Sequence, residues 1–122
     1  MNEKEQGTLT EQDSLYLKEY QKYMTEIPDL DEDKEKILIE KAIKSDEEAQ
    51  ARLIASYMKK TIKVALQEIN KGVSLKRLIE CGNIGIVMAV EKLSDVESSP
   101  QMIMDRMKQY IENSIRTTDC IK

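Results

Sequence analysis

Apolar residues recur at the three- to four-residue spacing of an α-helix along most of this 122-residue chain. Each such run follows a residue type that commonly caps a helix N-terminus, because Ser, Thr and Asp side chains accept hydrogen bonds from the free backbone N–H groups there. These start signals are Thr10, Asp31, Asp46, Ser74 and the pair Ser99 and Pro100. No stretch alternates apolar and polar residues as a half-buried strand does. The sequence therefore predicts an all-α, five- to six-helix bundle.

The same signals predict a single helical domain over residues 10–122, preceded by a disordered tail at residues 1–9. Pro28 is expected to end the first helix, and Gly72 the third, which would run from Asp46 to about Lys71. No apolar run approaches the roughly 18–20 residues of a membrane span. The polar, acidic N-terminus is unlike a signal peptide. We expect a cytoplasmic protein with no membrane partner.

The composition argues against catalysis. The chain has no histidine, which is the usual general base and the commonest metal ligand. It has no glycine-rich phosphate loop and no nucleophile in a recognisable setting. The two cysteines, Cys81 and Cys120, form no CxxC pair, and we expect them to be free thiols in a reducing compartment. These features predict a non-enzymatic protein without cofactor or metal.

Charge is distributed unevenly along the chain. Residues 1–50 carry 15 acidic and 7 basic side chains, net −8, whereas residues 51–93 carry 8 basic and 3 acidic ones, net +5. Within the basic part, helical spacing places Arg52, Lys59 and Lys63 on one side of the third helix. Taken singly, each of these side chains is expected to be solvated helix surface. Together they predict a basic face that could meet an acidic partner surface.

The segment "LKRLIECGNIGIVMAVEKL" places two glycines in the most apolar part of the chain. Within one continuous helix, Gly82 and Gly85 would each cost about 1 kcal/mol relative to alanine. A short helix that ends at Gly82, followed by a second helix capped by Asn83, avoids this cost. We therefore predict a helix–turn–helix corner, with Gly85 permitting close helix packing. Packing alone is the alternative explanation of the glycines.

The wider sequence resembles bacterial RNA polymerase sigma factors of the housekeeping type. The stretch "LIECGNIGIVMAVEKL" is similar to their polymerase-binding helices, in which a Leu-Ile pair precedes GNIG and AVEK follows it. The stretches "DEEAQARLIASYMKKTIKVALQEINKGVS" and "YLKEYQKYMTEIP" resemble the segments that come before in the family. This resemblance implies the fold of sigma factor domain two, together with its preceding helical segment.

In sigma factors this region grips the clamp helices, a coiled coil of the largest polymerase subunit. The resemblance assigns that contact to positions around the Gly82–Gly85 corner, namely Lys76, Arg77, Glu80, Cys81, Asn83 and Val87. Two of them depart from the family, because Arg77 stands where an aspartate is typical and Cys81 where a glutamate is typical. The clamp surface is basic, so an arginine there places like charges together, which can cost several kcal/mol.

The part that resembles the promoter-melting helix departs further. Residues 110–115 align with the family's Trp-Ile-Arg-Gln-Ala-Ile, and Ile103, Arg106 and Gln109 occupy other positions that are aromatic in the family. The chain has no Trp and no Phe, so it lacks most of the stacking platforms, each worth about 1–3 kcal/mol per base. Arg106, Gln109 and Tyr110 are therefore residual candidates for DNA contact. The family also continues beyond "IRTTDCIK" into further promoter-reading elements, so we expect promoter DNA to bind weakly or through a partner.

Three functions follow from these observations. The leading hypothesis is a sigma-like initiation module that binds RNA polymerase core and acts with a second, promoter-reading chain. The alternative is a non-initiating protein that competes for the clamp or holds another protein through the altered surface. Direct nucleic-acid binding by the basic face is weaker, because the chain is net acidic and poor in aromatics outside its first helix. For Tyr16, Tyr20 and Tyr23 we predict packing rather than base stacking.

Overall fold

The computed structural model describes residues 9–96, 98–117 and 119–120. Over these ranges the chain forms five helices and no strand, which confirms the all-α prediction. They are α1 (Glu11–Met24), α2 (Glu32–Ile43), α3 (Glu47–Leu66), α4 (Leu75–Glu91) and α5 (Pro100–Arg116). Of the tail predicted for residues 1–9, only Leu9 lies within the described residues, where it packs half-buried against the core.

Each helix begins at the residue that the sequence predicts. The side chains of Thr10, Asp31, Asp46, Ser74 and Ser99 all accept a hydrogen bond from the backbone N–H three positions later. Thr10 and Asp13 form a reciprocal capping box at the start of α1, and Pro100 occupies the first turn of α5. These contacts are local, so the sequence alone determines them.

Two helices end earlier than predicted. Helix α1 stops at Met24, before Pro28, and α3 stops at Leu66 rather than near Lys71. The chain then turns through residues 67–73, which lets Ile69 and Val73 pack against the core. Gly72 reverses the chain with φ +85°, a conformation that glycine adopts without steric penalty.

Helix α4 is the central element of the bundle. It packs along α5 and α3 and more lightly against α1, while α2 packs on α3. Leu75, Leu78, Ile79 and Ile86 are fully buried on the inner side of α4. None of the helices in the described ranges is long and apolar enough to cross a bilayer.

The predicted corner at Gly82 and Gly85 is wrong, because α4 runs through both glycines without interruption. A Cβ atom on Gly82 would lie 2.7 Å from Thr61 Cγ2 on α3. A Cβ atom on Gly85 would lie 2.6 Å from the backbone oxygen of Arg106 on α5. The glycines therefore permit close approach of neighbouring helices, as predicted for Gly85. Burial of the surrounding side chains offsets their unfavourable helix propensity.

The prediction of free thiols is also wrong, because Cys81 and Cys120 form a disulfide with their Cα atoms 5.3 Å apart. The bond joins the middle of α4 to the segment that follows α5, across 39 residues of sequence. Two isolated cysteines carry no local signal of such pairing. Only the packing of α5 against α4 brings them together.

Candidate protein-binding site on helix α4

One side of α4 faces away from the core, and we call it the α4 face. It consists of Lys76, Glu80, Ile84 and Val87, with Arg77 at its margin. Their spacing of three and four residues places them along one line of the helix. Lys76 and Glu80 are exposed, and the large apolar side chain of Ile84 is 40 % exposed. The α4 face thus combines both signs of charge with an apolar centre, a composition suited to a protein partner.

Helix α1 borders the α4 face on one side. The Asp13 carboxylate accepts a hydrogen bond from the Leu75 backbone N–H at 3.0 Å and so fixes α1 to the start of α4. Burial raises the pKa of the Tyr16 hydroxyl, and the negative charge of the nearby Glu80 raises it further. A shallow cleft of about 360 Å³ lies between the two helices, lined in part by Leu15 and Lys76. Leu15 is 60 % exposed and supplies apolar area on the α1 side of this cleft.

Asn83 joins three helices rather than capping one. Its Nδ2 donates to the Tyr20 hydroxyl at 2.9 Å, and that hydroxyl donates to the Met58 carbonyl at 3.0 Å. Burial raises the pKa of Tyr20 to about 12, although its hydrogen bond with Asn83 opposes part of the shift. The Asn83 Oδ1 is buried and has no hydrogen-bond partner. The predicted capping role is therefore wrong, and the amide of Asn83 is largely committed to holding α1 and α3 against α4.

The other margin of the α4 face contains the disulfide. Cys81 is fully buried and Cys120 is 8 % exposed, and both pack with Tyr110 and the half-buried Met88. Cys81 is therefore not part of the exposed α4 face in this structure, and its assignment to the polymerase contact stays a prediction. Tyr110 is only 5 % exposed, so its ring is not presented to a DNA base. The other residual DNA candidates differ, because Gln109 is exposed and Arg106 is half-buried with its backbone against Gly85.

The basic face on α3 is only partly available. Arg52 and Lys63 are exposed. Lys59 instead donates to the Ile27 carbonyl at 2.8 Å and pairs with Asp29 at 2.6 Å. The hydrogen bond that Lys59 Nζ donates to Asp29, together with the positive charge of Lys59, holds the pKa of the Asp29 carboxyl below its usual value. Lys59 thus fastens the loop between α1 and α2 to α3, a use that its spacing in the sequence does not reveal.

The tyrosines of α1 divide into two groups. Tyr16 and Tyr20 pack against the core, with ring centroids 5.9 Å apart, as predicted. The packing prediction is wrong for Tyr23, which is 73 % exposed. Leu15 and Ile84 are exposed apolar residues that sequence reasoning missed. For Leu15 the available signal was its helical phase, because it lies on a different side of α1 from Tyr16, Tyr20 and Met24.

No protein-family model matches the sequence. Among curated proteins, the chain is similar to an RNA polymerase sigma factor SigA from Bacillus sp, with 33 % identity over 78 residues. The aligned part covers 64 % of this chain and 20 % of that sigma factor, so the chain spans about a fifth of its relative. The similarity supports a relationship to sigma factors at the level of the family.

Proposed function

We propose that this protein is a sigma-like transcription module that binds RNA polymerase core through the α4 face. The observation that carries the proposal is the similarity to a sigma factor over 78 residues, combined with an exposed, partly apolar face on the central helix. The protein would act by binding rather than by catalysis. Its partner would be the clamp helices of the largest polymerase subunit, which the resemblance assigns to this region.

The mixed character of the α4 face supports a specific protein contact. Glu80 is exposed and supplies a carboxylate for a basic clamp surface, while Ile84 and Val87 supply apolar area at the centre. Apolar contact at the centre and charges at the rim are the usual arrangement of a protein interface. Asn83 would contribute mainly by positioning α4, because its amide already holds Tyr20.

Promoter reading would require a second, sigma-like chain. Among the positions that match the family's melting aromatics, Ile103 and Tyr110 are buried, and Gln109 is exposed but cannot stack as an aromatic ring can. Loss of stacking at about 1–3 kcal/mol per base would leave little melting power. Promoter DNA would therefore be bound weakly, or through the partner chain.

The burial of Tyr110 also favours a second candidate function. A protein that occupies the clamp helices without an exposed stacking residue would exclude an active sigma factor and block initiation. In this case the protein would compete for polymerase core rather than support transcription. Both functions displace an intact sigma factor from the clamp, so the separating assay is transcription of host genomic DNA by polymerase core with this protein and its promoter-reading partner chain as the sole initiation factors. An initiation module yields transcripts in this reaction, and a competitor does not.

The first test is binding of the full chain to its host's polymerase core and, separately, to the isolated clamp coiled coil. Glu80→Arg sets a like charge against the basic clamp surface, and Ile84→Lys does the same while removing the apolar centre of the α4 face, so we expect each to weaken binding at least about tenfold. Glu40→Arg on α2 is the matched control, since Glu40 is also an exposed helical glutamate. Equal binding by all variants would exclude the α4 face as the contact.

Arg77→Asp tests the altered charge at the margin of the α4 face. This change restores the residue type that the resemblance leads us to expect opposite a basic surface. Tighter binding by Arg77→Asp would indicate that the arginine disfavours the ordinary clamp contact. Weaker binding would indicate that the clamp of this host has changed to match the arginine.

A further inference from the structure

We propose that the groove between α2 and the start of α5 is a docking site for a basic amphipathic segment of a partner protein. This groove, which we call the α2 groove, is an open cavity of about 620 Å³. It is lined by residues of α2 between Glu32 and Ile43 and, on the opposite side, by Ser98 and Pro100. It shares no lining residue with the α4 face, so this proposal does not rest on the proposed function.

The α2 groove is open because α2 packs on one main neighbour. Helix α2 packs along α3, where Glu35 accepts a hydrogen bond from the Tyr57 hydroxyl and fixes the two helices together. The start of α5 stands opposite α2 without packing along it. The side of α2 that carries Lys36 and Ile43 therefore has no helix packed over it among the described residues.

The floor of the α2 groove is apolar. Ile39 is 6 % exposed and belongs to the main core, and the half-buried Ile43 packs against that core. Pro100 is exposed and adds apolar area on the α5 side. On the adjoining row of α2, Ile37 is 52 % exposed and lies four residues after Asp33. An occupant with apolar side chains on one side would bury them against this floor.

The rim of the α2 groove is acidic. Its net charge is −3, from four acidic side chains and one basic side chain, namely Glu32, Asp33, Glu35, Glu40 and Lys36. Within the described part of the chain, no lysine or arginine forms a salt bridge with these carboxylates. An acidic rim above an apolar floor selects an occupant that combines positive charge with apolar side chains.

The stability of α2 accounts for only part of this charge. Glu32, Asp33 and Glu35 lie in the first turn, where the positive end of the helix dipole favours carboxylates. Glu40 is exposed and lies in the last turn, where the dipole disfavours a negative charge. Glu40 is therefore the acid whose charge the helix does not use, and we expect it to contribute most to the attraction of a basic partner.

The length of the α2 groove sets the size of its occupant. Residues 32–43 span about 17 Å along the helix axis at about 1.5 Å per residue. A helical segment of about twelve residues covers this length, with apolar side chains at helical spacing on the floor and Lys or Arg side chains at the rim. The contact is small and its charges are exposed, so we expect a weak complex that salt weakens further.

The probe is a synthetic peptide of about twelve lysine, arginine and leucine residues, with the leucines at helical spacing. Fluorescence anisotropy measures its binding to the full chain at low and moderate salt. We expect Glu40→Arg to weaken binding at least about tenfold, whereas Glu80→Arg, the same change on the α4 face, should alter it by less than about twofold. Replacement of the leucines by serine should also weaken binding at least about tenfold. Equal losses in the two protein variants, or equal binding of the serine peptide, would indicate general charge attraction and overturn the proposal.

Nuclear magnetic resonance then locates the peptide on the protein. Amide shifts should change at residues 32–43 and at the start of α5. Absence of binding, or shift changes confined to the α4 face, would overturn the proposal. Glu40→Arg should fold normally, because a positive charge suits the last turn of a helix, and circular dichroism checks this. The variant should also keep its binding to polymerase core, so failure of the α2 groove and failure of the proposed function are distinguishable.

Discussion

The Cβ position of Gly85 lies 2.6 Å from the backbone oxygen of Arg106, so α4 and α5 approach each other at the level of the main chain. This contact explains a glycine in the middle of the most apolar helix. It also sets the position of α5, which carries Tyr110 one turn further along the helix. The close approach therefore shapes both the bundle and the covered margin of the α4 face.

We expect Gly85→Ala to destabilise the fold by about 1–3 kcal/mol, because a new methyl group would meet backbone that cannot move aside. Gly82→Ala should cost less, since its nearest neighbours are side-chain atoms of Thr61 and Ile111. Urea unfolding followed by circular dichroism measures both. The control is the exposed position Gln109 on α5. There the Gln109→Gly protein should be about 1 kcal/mol less stable than the Gln109→Ala protein, which is the ordinary cost of glycine in a helix. A stabilised Gly85→Ala protein would contradict the packing explanation.

Tyr20→Phe should destabilise the protein by about 1–3 kcal/mol, because it leaves the Met58 carbonyl and the Asn83 amide without their partner. In a double-mutant cycle with Asn83→Ala, the coupling energy should be about 0.5–1.5 kcal/mol. Urea unfolding of the four proteins measures the cycle. Tyr23→Phe, which changes an exposed ring, should shift stability by less than about 0.5 kcal/mol. A coupling energy of zero, so that the two substitutions simply add in the free energy of unfolding, would argue against the hydrogen bond between Tyr20 and Asn83.

Reduction of the disulfide should lower the free energy of unfolding by about 2–4 kcal/mol, because the bond restricts the unfolded chain over a loop spanning 39 residues of sequence separation. Parallel urea titrations with and without dithiothreitol measure the difference. Cys120→Ser should match the reduced protein and should not respond to reductant. The reduced protein should nevertheless keep its helical signal, since the main core does not include the disulfide.

Stability should fall as pH rises from about 10 to about 12. The pKa of Tyr20 is about 12 in the folded protein against 10.0 for an ordinary tyrosine, chiefly because of burial. The folded state therefore keeps a proton that the unfolded state loses, so this contribution is complete below pH 10 and disappears as pH passes the folded pKa. Burial and the hydrogen bond to Glu35 raise the pKa of Tyr57 and add a contribution of the same sign.

Denaturant unfolding across this alkaline range tests the prediction. Tyr20→Phe should flatten the decline with pH, although the variant is less stable at neutral pH. A decline that is equally steep in Tyr20→Phe would assign the alkaline sensitivity to other groups.

The helix starts could be read from the sequence because they depend on neighbouring residues. Thr10, Asp31, Asp46, Ser74 and Ser99 cap their helices through hydrogen bonds that span three residues. The apolar residues of α4 also recur at helical spacing, and Leu75, Leu78, Ile79 and Ile86 form its buried side. Local chemistry and periodicity therefore determined the fold class and the order of elements.

The candidate site depended on contacts that no local pattern reveals. Glycines break a helix when nothing compensates for their flexibility, but at Gly82 and Gly85 the backbones and side chains of α3 and α5 fill the space that a side chain would occupy. The resemblance assigned Cys81 to the polymerase contact and Tyr110 to residual DNA contact without indicating whether either is exposed, and the packing of α5 against α4 buries both. Lys59 and Asn83 bind partners at least 30 residues away in the chain. The sequence by itself determined where each of these helices begins, and only the tertiary structure decided which of their residues remain available to a partner, because burial depends on what packs across each face.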